Sequence, residues 1–320
     1  MRILIVTPAP PRSRSGNRVT ALRWARLLRG VGHRVDVAEV FRRQRCDLLL
    51  ALHARRSFLS IQRYRRLRPA APLVLALTGT DIYGDIHTDP DAARALDLAD
   101  RFILLQPHGL GELAHGHQRK AAVVYQSVVA PPGEFRPRAD CFEVIVLGHL
   151  REVKDPFRTA MAAAALPPSS RVRVTHYGDA LSPGMERLAQ EQIAANPRYQ
   201  WLGALPRGRA LRMLARSRLL ALTSTMEGGA NAVSEAIACG TPVVSSRISG
   251  SIGLLGEDYP GYFPVGDTAA LTALLHRIET DSDFLHGLEN ACTQLRHLIE
   301  PARERDSLQE LVTAVVADRQ

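Results

Sequence analysis

Cysteine, lysine and aromatic residues are scarce in this 320-residue sequence, and long apolar runs are missing. The four cysteines are widely spaced with no CxxC pair, which argues against a disulfide framework or zinc knuckle and favours a reducing cytoplasm. No apolar segment reaches the roughly 18 to 20 residues that a membrane-spanning helix needs. The opening MRILIVTPAPP has only a short apolar stretch, so we interpret it as a buried strand rather than a signal peptide.

Apolar residues make up 46% of the sequence and charged residues 23%, which is typical of a globular protein with enough chain for two cores. Residues 1–138 carry 22 Arg and one Lys against 11 acidic residues, a net charge of +12. Residues 139–320 carry 18 basic and 21 acidic residues. This asymmetry indicates that the first half binds an anion, although an Arg-rich solvated surface is by itself the simpler explanation.

Short apolar runs alternate with helical patterns, one of them at 108–116, which predicts an α/β fold with parallel sheets covered by helices on both faces. The alternation stops at APPGEFRPR (130–138), where proline, glycine and arginine mark a linker, and then begins again. We therefore predict domains at 1–138 and 139–301, with a C-terminal helix (302–320) returning near the first. Such sheets bind ligands at the carboxyl ends of their strands, in a cleft between the domains.

The most informative segment, TSTMEGGANAVSEAIACGTPVV (223–244), leads from a predicted strand into a helix. Its glycines allow a close approach of the backbone to a ligand, and the amides of residues 229–231 would face a phosphate. Glu227 precedes the helix and suits sugar hydroxyls. Glu235 shares a helix face with Asn231 and suits ribose hydroxyls. Taken alone, each Glu is more simply explained as a solvent-exposed acid. The pair together with the glycines favours a ligand site.

This segment resembles the E-x7-E signature of the retaining glycosyltransferases of family 4, which have the GT-B fold. The resemblance implies two Rossmann-like parallel-sheet domains facing an interdomain cleft, a nucleotide-sugar donor bound mainly by the second domain, and no obligatory metal. It further implies that Glu227 contacts the transferred sugar and Glu235 the ribose. Further donor contacts are implied for Gly228, Gly229, Ala230 and Asn231.

A second segment, VLGHLREVKDP (146–156), is similar to the Gly-Arg-Leu-x-x-x-Lys turn of that family. Lys154 falls on the lysine of this turn, which implies that it neutralises the donor diphosphate and stabilises the leaving nucleotide without a metal. His149 stands where the family has arginine, and Arg151, two residues later, is the alternative phosphate ligand. The predicted catalytic residues are Lys154, Glu227 and Arg151.

Two further segments, HYGDAL (176–181) and LGALPRGRAL (202–211), resemble the parts of the family that line the base pocket. The resemblance implies that the backbone around Gly203 and Leu205 holds uracil. Arg207 and its neighbour Arg209 are interpreted as solvated residues at a helix start.

In the first domain, a loop joins the first predicted strand to a helix within PAPPRSRSGNRVTALRWARLL (8–28). Amides at the helix N-terminus, flanked by Arg12, Arg14 and Arg18, form an anion site. The family also has its acceptor-side glycine loop here. The predicted acceptor contacts in this loop are Ser15, Gly16, Asn17 and Arg18.

Two later strand ends add candidates for the acceptor site. Thr80 and Asp81 lie in LTGTDIYGD (77–85), near the place where the family often has a His-bearing loop, so the role of that His is not transferred. His108 follows a strand in LQPHGLGEL (105–113) and is a further candidate, although a lone His is more often structural.

Together, SGNRVTA, TGTDIY, GHLREVKDP and EGGANAVSEA resemble a narrower group, the selenosugar synthases of selenoneine biosynthesis (SenB type). This implies transfer of N-acetylglucosamine from UDP-GlcNAc to selenophosphate, with 1-seleno-GlcNAc and UDP as products and without a cofactor or metal. A small, multiply charged anion suits the basic first half. An anionic nucleophile also needs no strong general base, in agreement with the lack of an obvious Asp/His base pair there.

Three alternatives stay open. Another family-4 transferase would keep the donor residues and take a glycan, lipid or thiol acceptor; the helix LSIQRYRRLRP (59–69) is short and weakly amphipathic, which gives membrane docking little support. A nucleic-acid-binding protein is disfavoured by 5% aromatics and no RNP-like platform. A nucleotide-sugar epimerase would need no acceptor. We expect a cytoplasmic enzyme that binds a UDP-sugar and a small anion, not nucleic acid or a membrane; its oligomeric state stays open.

Overall fold

A computed structural model describes residues 1–13 and 15–318, which form two compact units. Unit 1 comprises Met1–Ser127, Glu227–Gly229 and the described part of Glu300–Gln320. Unit 2 comprises Val128–Met226 and Ala230–Ile299. The division falls at residue 127 and not at the predicted residue 138, because the Val128 amide donates a hydrogen bond to the Ile299 carbonyl within unit 2.

Each unit contains one sheet of six parallel strands. The strands are β1 (Arg2–Val6), β2 (Arg34–Ala38), β3 (Leu48–Leu52), β4 (Leu73–Leu77), β5 (Arg101–Leu104), β6 (Ala121–Val123), β7 (Phe142–Leu147), β8 (Val172–Tyr177), β9 (Tyr199–Trp201), β10 (Leu219–Leu222), β11 (Val243–Ser246) and β12 (Tyr262–Phe263). The order is β2-β1-β3-β4-β5-β6 in unit 1 and β12-β11-β10-β7-β8-β9 in unit 2. Both β3 and β4 are entirely buried apolar runs, as expected where helices cover both faces.

Helices connect the strands. They are α1 (Gly16–Gly30), α2 (Ala54–Leu67), α3 (Ile86–Thr88), α4 (Pro90–Leu98), α5 (His115–Gln118), α6 (Arg158–Ala164), α7 (Pro183–Ala195), α8 (Arg207–Ala215), α9 (Asn231–Cys239), α10 (Ser249–Leu255), α11 (Thr268–Thr280), α12 (Ser282–Gln294) and α13 (Pro301–Ala317). The side chains of Asp89, Ser182, Asp267 and Asp281 cap α4, α7, α11 and α12 by accepting amide hydrogen bonds in the first turn.

The core of unit 1 lies on both faces of its sheet. On one face, α1 and α13 pack together and bury Trp24, Leu28, Leu308 and Val312. On the other face, α2 and α4 cover the apolar side chains of β3 and β4. The last helix therefore packs in unit 1. Within the described ranges, no helix is long and apolar enough to cross a membrane.

Three local expectations differ from the structure. Segment 108–116, predicted as one helix, divides into a 3-10 helix (Pro107–Glu112) and α5, because Leu113 between them adopts an extended backbone. The segment also contains three glycines, which weaken a helix. Both α10 and β12 escaped the sequence analysis, since α10 is glycine-rich and β12 has only two residues.

Candidate functional site

The strand order of unit 2 reverses between β7 and β10. Open parallel sheets bind ligands outside the carboxyl ends of their strands at such a switch point. Here the turns after β7 and β10 border a small surface hollow. Its lining residues are Val146, Leu147, Gly148, Lys154, Pro156, His176, Ala221, Leu222, Thr223 and Ser224. The structure therefore places Lys154, the predicted diphosphate ligand, at the switch point of unit 2.

The turn that carries Lys154 is fixed by hydrogen bonds from the turn after β10. The Thr223 hydroxyl donates to the carbonyls of Lys154 and Asp155 at 3.0 and 2.9 Å. The amide of Thr225 donates to the Val153 carbonyl at 2.9 Å. The strands on either side of the switch point thus hold the lysine-bearing backbone in one position before any ligand binds.

His176, at the end of β8, supports the same turn, and the sequence analysis missed this role. Its Nε2 lies 2.9 Å from the Gly148 carbonyl, and its Nδ1 lies 3.1 Å from the Tyr199 hydroxyl. A carbonyl only accepts, so Nε2 carries the proton and Nδ1 accepts from Tyr199. Burial lowers the pKa of His176 to about 4, against a smaller raising effect of the Gly148 hydrogen bond. The ring is therefore neutral at pH 7.

The two segments predicted to line a base pocket do meet. The Gly178 amide donates to the Gly203 carbonyl at 3.0 Å, and Trp201 Nε1 donates to the Gly178 carbonyl at 2.7 Å. A Cβ atom at Gly178 would lie 1.9 Å from the Gly148 carbonyl oxygen, so this position requires glycine. Leu205 is partly buried nearby in the sequence.

The two candidates for the arginine position of the turn, His149 and Arg151, lie outside the residues that line the hollow. His149 Nδ1 accepts a hydrogen bond from the Asp179 amide at 3.0 Å, which ties the Lys154 turn to the turn after β8. Arg151 precedes the short 3-10 helix Glu152–Lys154 and is partly exposed. Their predicted contacts with phosphate stay predictions.

Helix α9 begins at Asn231, with Ala230 as its N-cap, close to the predicted helix start. Glu235, one turn later, has a side chain only 16% exposed, and its carboxylate lies 3.0 Å from Arg207 Nε. Arg207 is exposed, as predicted, and α8 packs beside α9 and brings it to Glu235. The guanidinium therefore pairs with the Glu235 carboxylate, and the contact of Glu235 with the ribose stays a prediction.

The segment Glu227–Gly229 belongs to unit 1. The two acids of the signature thus lie in different units, and their joint contact with one donor stays a prediction. A Cβ atom at Gly228 would lie 2.5 Å from the Gly79 amide nitrogen, and one at Gly229 would lie 2.6 Å from Leu105 Cβ. Packing within unit 1 therefore requires glycine at both positions, in addition to any approach of a ligand.

In unit 1 the strand order reverses between β1 and β3. Among the described residues, the hydroxyls of Thr7 and Ser15 and the Nε of Arg18 are buried without a hydrogen-bond partner. Thr7 follows β1, and the other two flank the start of α1. Buried polar atoms without partners are rare in proteins, so each of these groups is expected to meet water or a ligand. Gly16 opens α1, Asn17 is partly buried, and Arg14 lies outside the described residues.

The other predicted acceptor residues differ in how far they are buried. Asp81 is fully buried and accepts hydrogen bonds from the amides of Ala54, Thr78 and Gly79 at 2.8–3.0 Å, so it holds two loops together. Its predicted contact with an acceptor stays a prediction. Thr80 is partly exposed. His108 is exposed in the 3-10 helix that follows β5. In the described part of the chain, no group of three or more His, Cys, Asp or Glu residues is arranged to hold a metal ion.

Two six-stranded parallel sheets with polar turns at their switch points define a GT-B glycosyltransferase fold, which solved structures confirm. HepE from Anabaena, in complex with UDP and glucose, has a TM-score of 0.78 and 19% identity over 98% of this chain and 100% of its own. Sucrose-phosphate synthase from Thermosynechococcus elongatus has a TM-score of 0.75 and 17% identity over 99% of both chains. The pneumococcal O-GlcNAc transferase GtfA, in complex with UDP and GlcNAc, has a TM-score of 0.62 and 16% identity over 84% of this chain and 57% of its own.

The sequence profile described as Glycosyl transferases group 1 matches residues 134–295, about half of the chain. The chain belongs to this family, which confirms the predicted class of glycosyltransferase. No curated protein has a significantly matching sequence.

Proposed function

We propose that this enzyme transfers N-acetylglucosamine from UDP-GlcNAc to selenophosphate. The bond from the anomeric carbon to the diphosphate oxygen breaks, and UDP leaves with the electron pair, while selenium donates the pair for the new carbon–selenium bond. Water then cleaves the selenium–phosphorus bond, releasing phosphate and 1-seleno-GlcNAc. The observation that carries the proposal is the hollow with Lys154 at the switch point of unit 2, in a member of a glycosyltransferase family.

A UDP-sugar donor is supported by the complexes of two proteins of similar fold, HepE with UDP and glucose and GtfA with UDP and GlcNAc. In this chain the Lys154 ammonium offsets the negative charge that develops on the departing diphosphate. The amides at the start of α9 add a further contact for an anion. Glu235, oriented by Arg207, binds the ribose, and Glu227 contacts the transferred sugar.

An anionic acceptor is supported by unit 1. Its switch point combines a helix N-terminus with unpartnered buried groups of Thr7, Ser15 and Arg18, all of which donate hydrogen bonds to an anion. The net charge of +12 over residues 1–138 also attracts a small anion more strongly than a neutral sugar. Selenophosphate carries its own nucleophilic charge, so this edge needs to bind the acceptor rather than deprotonate it.

The test combines the purified protein with UDP-GlcNAc and, in separate reactions, phosphate, thiophosphate or selenophosphate, and measures UDP release and product mass. We expect UDP release with selenophosphate and a product in which selenium is bound to N-acetylhexosamine. No UDP release with selenophosphate would refute the proposal. UDP release only with a glycan, lipid or thiol would establish the second candidate, and conversion of the sugar without an acceptor would indicate an epimerase.

The donor part of the proposal predicts a large effect at one of the two lysines of the chain. We expect Lys154→Ala to lower kcat about 10²–10³-fold, the usual effect of removing a group that stabilises developing charge. Lys120→Ala is the matched control, because Lys120 lies in unit 1 and directs its ammonium to the Ala99 carbonyl. Equal kcat values for the two variants would remove Lys154 from the donor site.

A further inference from the structure

His53 lies at the switch point of unit 1, and packing alone does not explain why this position holds a histidine. It follows β3 directly, has a side chain 4% exposed, and adopts a left-handed backbone with φ 74°. A residue other than glycine in this region is strained, and such strain concentrates at functional sites. Glycine adopts this φ freely, so the side chain is the feature that needs an explanation.

One edge of the ring faces α2 and the turn after β4. The Arg56 amide donates a hydrogen bond to Nδ1 at 3.4 Å, and Asp81 Oδ2 lies 3.9 Å from the same nitrogen. Asp81 itself is occupied by three backbone amides. The lone pair of Nδ1 is therefore used within the protein, and in the neutral ring the proton lies on Nε2.

The other edge of the ring faces the predicted acceptor residue Thr80. Nε2 lies 3.5 Å from Thr80 Oγ1 and 3.8 Å from Asp85 Oδ2. Arg55 Nε lies 3.1 Å from the same oxygen of Asp85, so the guanidinium is the closer partner of this carboxylate. With its proton on Nε2, His53 donates to the Thr80 hydroxyl oxygen. The hydroxyl hydrogen of Thr80 is then directed away from the ring.

Burial keeps the His53 ring neutral at pH 7. Burial lowers its pKa, and the cations Arg55 and Arg56 lower it further. The carboxylates of Asp81 and Asp85 act in the opposite direction. Neither ring nitrogen of the neutral form is then available to take a proton from an acceptor, because Nδ1 accepts from a backbone amide and Nε2 already carries hydrogen.

We propose that His53 is a positioning residue that turns the Thr80 hydroxyl into a hydrogen-bond donor for an anionic acceptor. The inference rests on the proposed function, because it takes the acceptor to bind at the carboxyl edge of the unit 1 sheet. It deepens that function by naming a selectivity: the edge offers a donor to an acceptor that is already an anion. A neutral alcohol, which must lose a proton to react, finds no base at His53.

Two substitutions separate positioning from a structural role. Glutamine places its amide nitrogen where Nε2 lies and keeps the donor to Thr80, whereas asparagine tolerates a positive φ but ends near the position of Nδ1. In assays with UDP-GlcNAc and selenophosphate, we expect His53→Asn to raise the acceptor KM about tenfold, the effect of one lost hydrogen bond to a charged group. The KM for UDP-GlcNAc should not change, and His53→Gln should restore the acceptor KM. Thr80→Val should reproduce the effect of His53→Asn, and the double variant should be no worse than either single one.

A rise of both KM values in His53→Asn, or additive effects in the double variant, would overturn the inference. The protonation of the His53 ring can be tested on the free protein even if selenophosphate is not a substrate and the proposed function fails. In ¹⁵N NMR of histidine-labelled protein at pH 7, the signals lost in His53→Gln should be those of a neutral ring protonated at Nε2. A ring protonated at Nδ1, or an imidazolium, would overturn the role proposed for His53 independently of the acceptor.

Discussion

At the switch point of unit 2 the polar groups that hold the Lys154 turn are paired within the protein, whereas several groups at the switch point of unit 1 are not. In unit 2, both nitrogens of His176 and the hydroxyl of Thr223 have hydrogen-bond partners. In unit 1, among the described residues, the buried hydroxyls of Thr7 and Ser15 have none. The difference indicates that unit 2 supplies a fixed frame around one lysine. Unit 1 supplies donors whose partners come with water or ligand.

The two units also offer separate optical reporters, because each contains one of the two tryptophans of the chain. Trp24 Nε1 donates to Glu304 at 2.7 Å in unit 1, and Trp201 Nε1 donates to the Gly178 carbonyl at 2.7 Å in unit 2. Each indole therefore touches a polar group that holds its own unit together. Variants with a single tryptophan allow the comparison between the units to be tested at each site.

The largest effect is expected from Glu304→Ala. Glu304, 1% exposed, accepts from Arg23 Nε at 2.9 Å, from Trp24 and from the Ser127 amide, and joins α13 to α1. Its removal leaves the Arg23 guanidinium buried without its carboxylate, which costs about 3–5 kcal/mol. Urea unfolding followed by Trp24 fluorescence in a Trp201→Phe background should show this loss.

The exposed Glu310 on the same helix provides the control for Glu304. Glu310→Ala should change the free energy of unfolding by less than about 0.5 kcal/mol. In a Trp24→Phe background, Trp201 should report little change for Glu304→Ala. An equal shift of both reporters would show that the two units unfold as one, and the comparison between them would lose its energetic basis.

A smaller effect, confined to unit 2, is expected from Gly178→Ala. The added Cβ atom would meet the backbone of Gly148 and His149, which cannot turn aside as a flexible side chain does. We expect a loss of about 2–3 kcal/mol in stability and weaker binding of UDP. Unfolding followed by Trp201 fluorescence and titration calorimetry with UDP measure the two effects.

Gly208→Ala is the matched control, since Gly208 lies in α8 with no atom within 4 Å of the added Cβ. Alanine should leave UDP binding unchanged and should stabilise α8 slightly, because glycine is the poorer helix former. Wild-type affinity for UDP in Gly178→Ala would show that the turn between Gly148 and Lys154 does not form the donor site.

The sequence was sufficient for most of the fold because the fold depends on local patterns. The apolar runs of β3 and β4 and the glycine-rich start of α9 are visible in a few consecutive residues. Lys154 was singled out for the same reason, as it lies in a recognisable turn, and its contact with a diphosphate stays a prediction. Where local signals were mixed, as between residues 108 and 116, the prediction failed.

The roles of single polar residues were harder to predict because sheet order decides them. His53 and His176 each gain their partners from neighbouring strands and turns, and no short pattern marks either residue. In the sequence, Asp81 has the features of a binding residue. In the fold, the adjacency of β3 and β4 brings backbone amides to its carboxylate. Arg207 is a surface residue in the sequence and in the structure, and its ion pair with Glu235 of α9 could not be predicted from a short pattern.

The smallest of these effects concerns pH and the neutral state of His176. Its folded pKa is about 4, mainly because of burial, whereas the unfolded chain titrates near 6.5. As the pH falls below 6.5 the unfolded state binds a proton that the folded state does not, so stability is lost, by about 2 kcal/mol between pH 7 and 5.

His176→Gln keeps a donor for the Gly148 carbonyl and removes the titration, so its stability should depend less on pH over this range. The exposed His286→Gln, in the same unit, should keep the wild-type profile of Trp201 unfolding against pH. If wild type and His176→Gln lose the same stability between pH 7 and 5, the turn that carries Lys154 does not depend on a neutral imidazole. The hydrogen bonds from Thr223 to its carbonyl partners would then be the remaining difference between the polar groups of the two switch points.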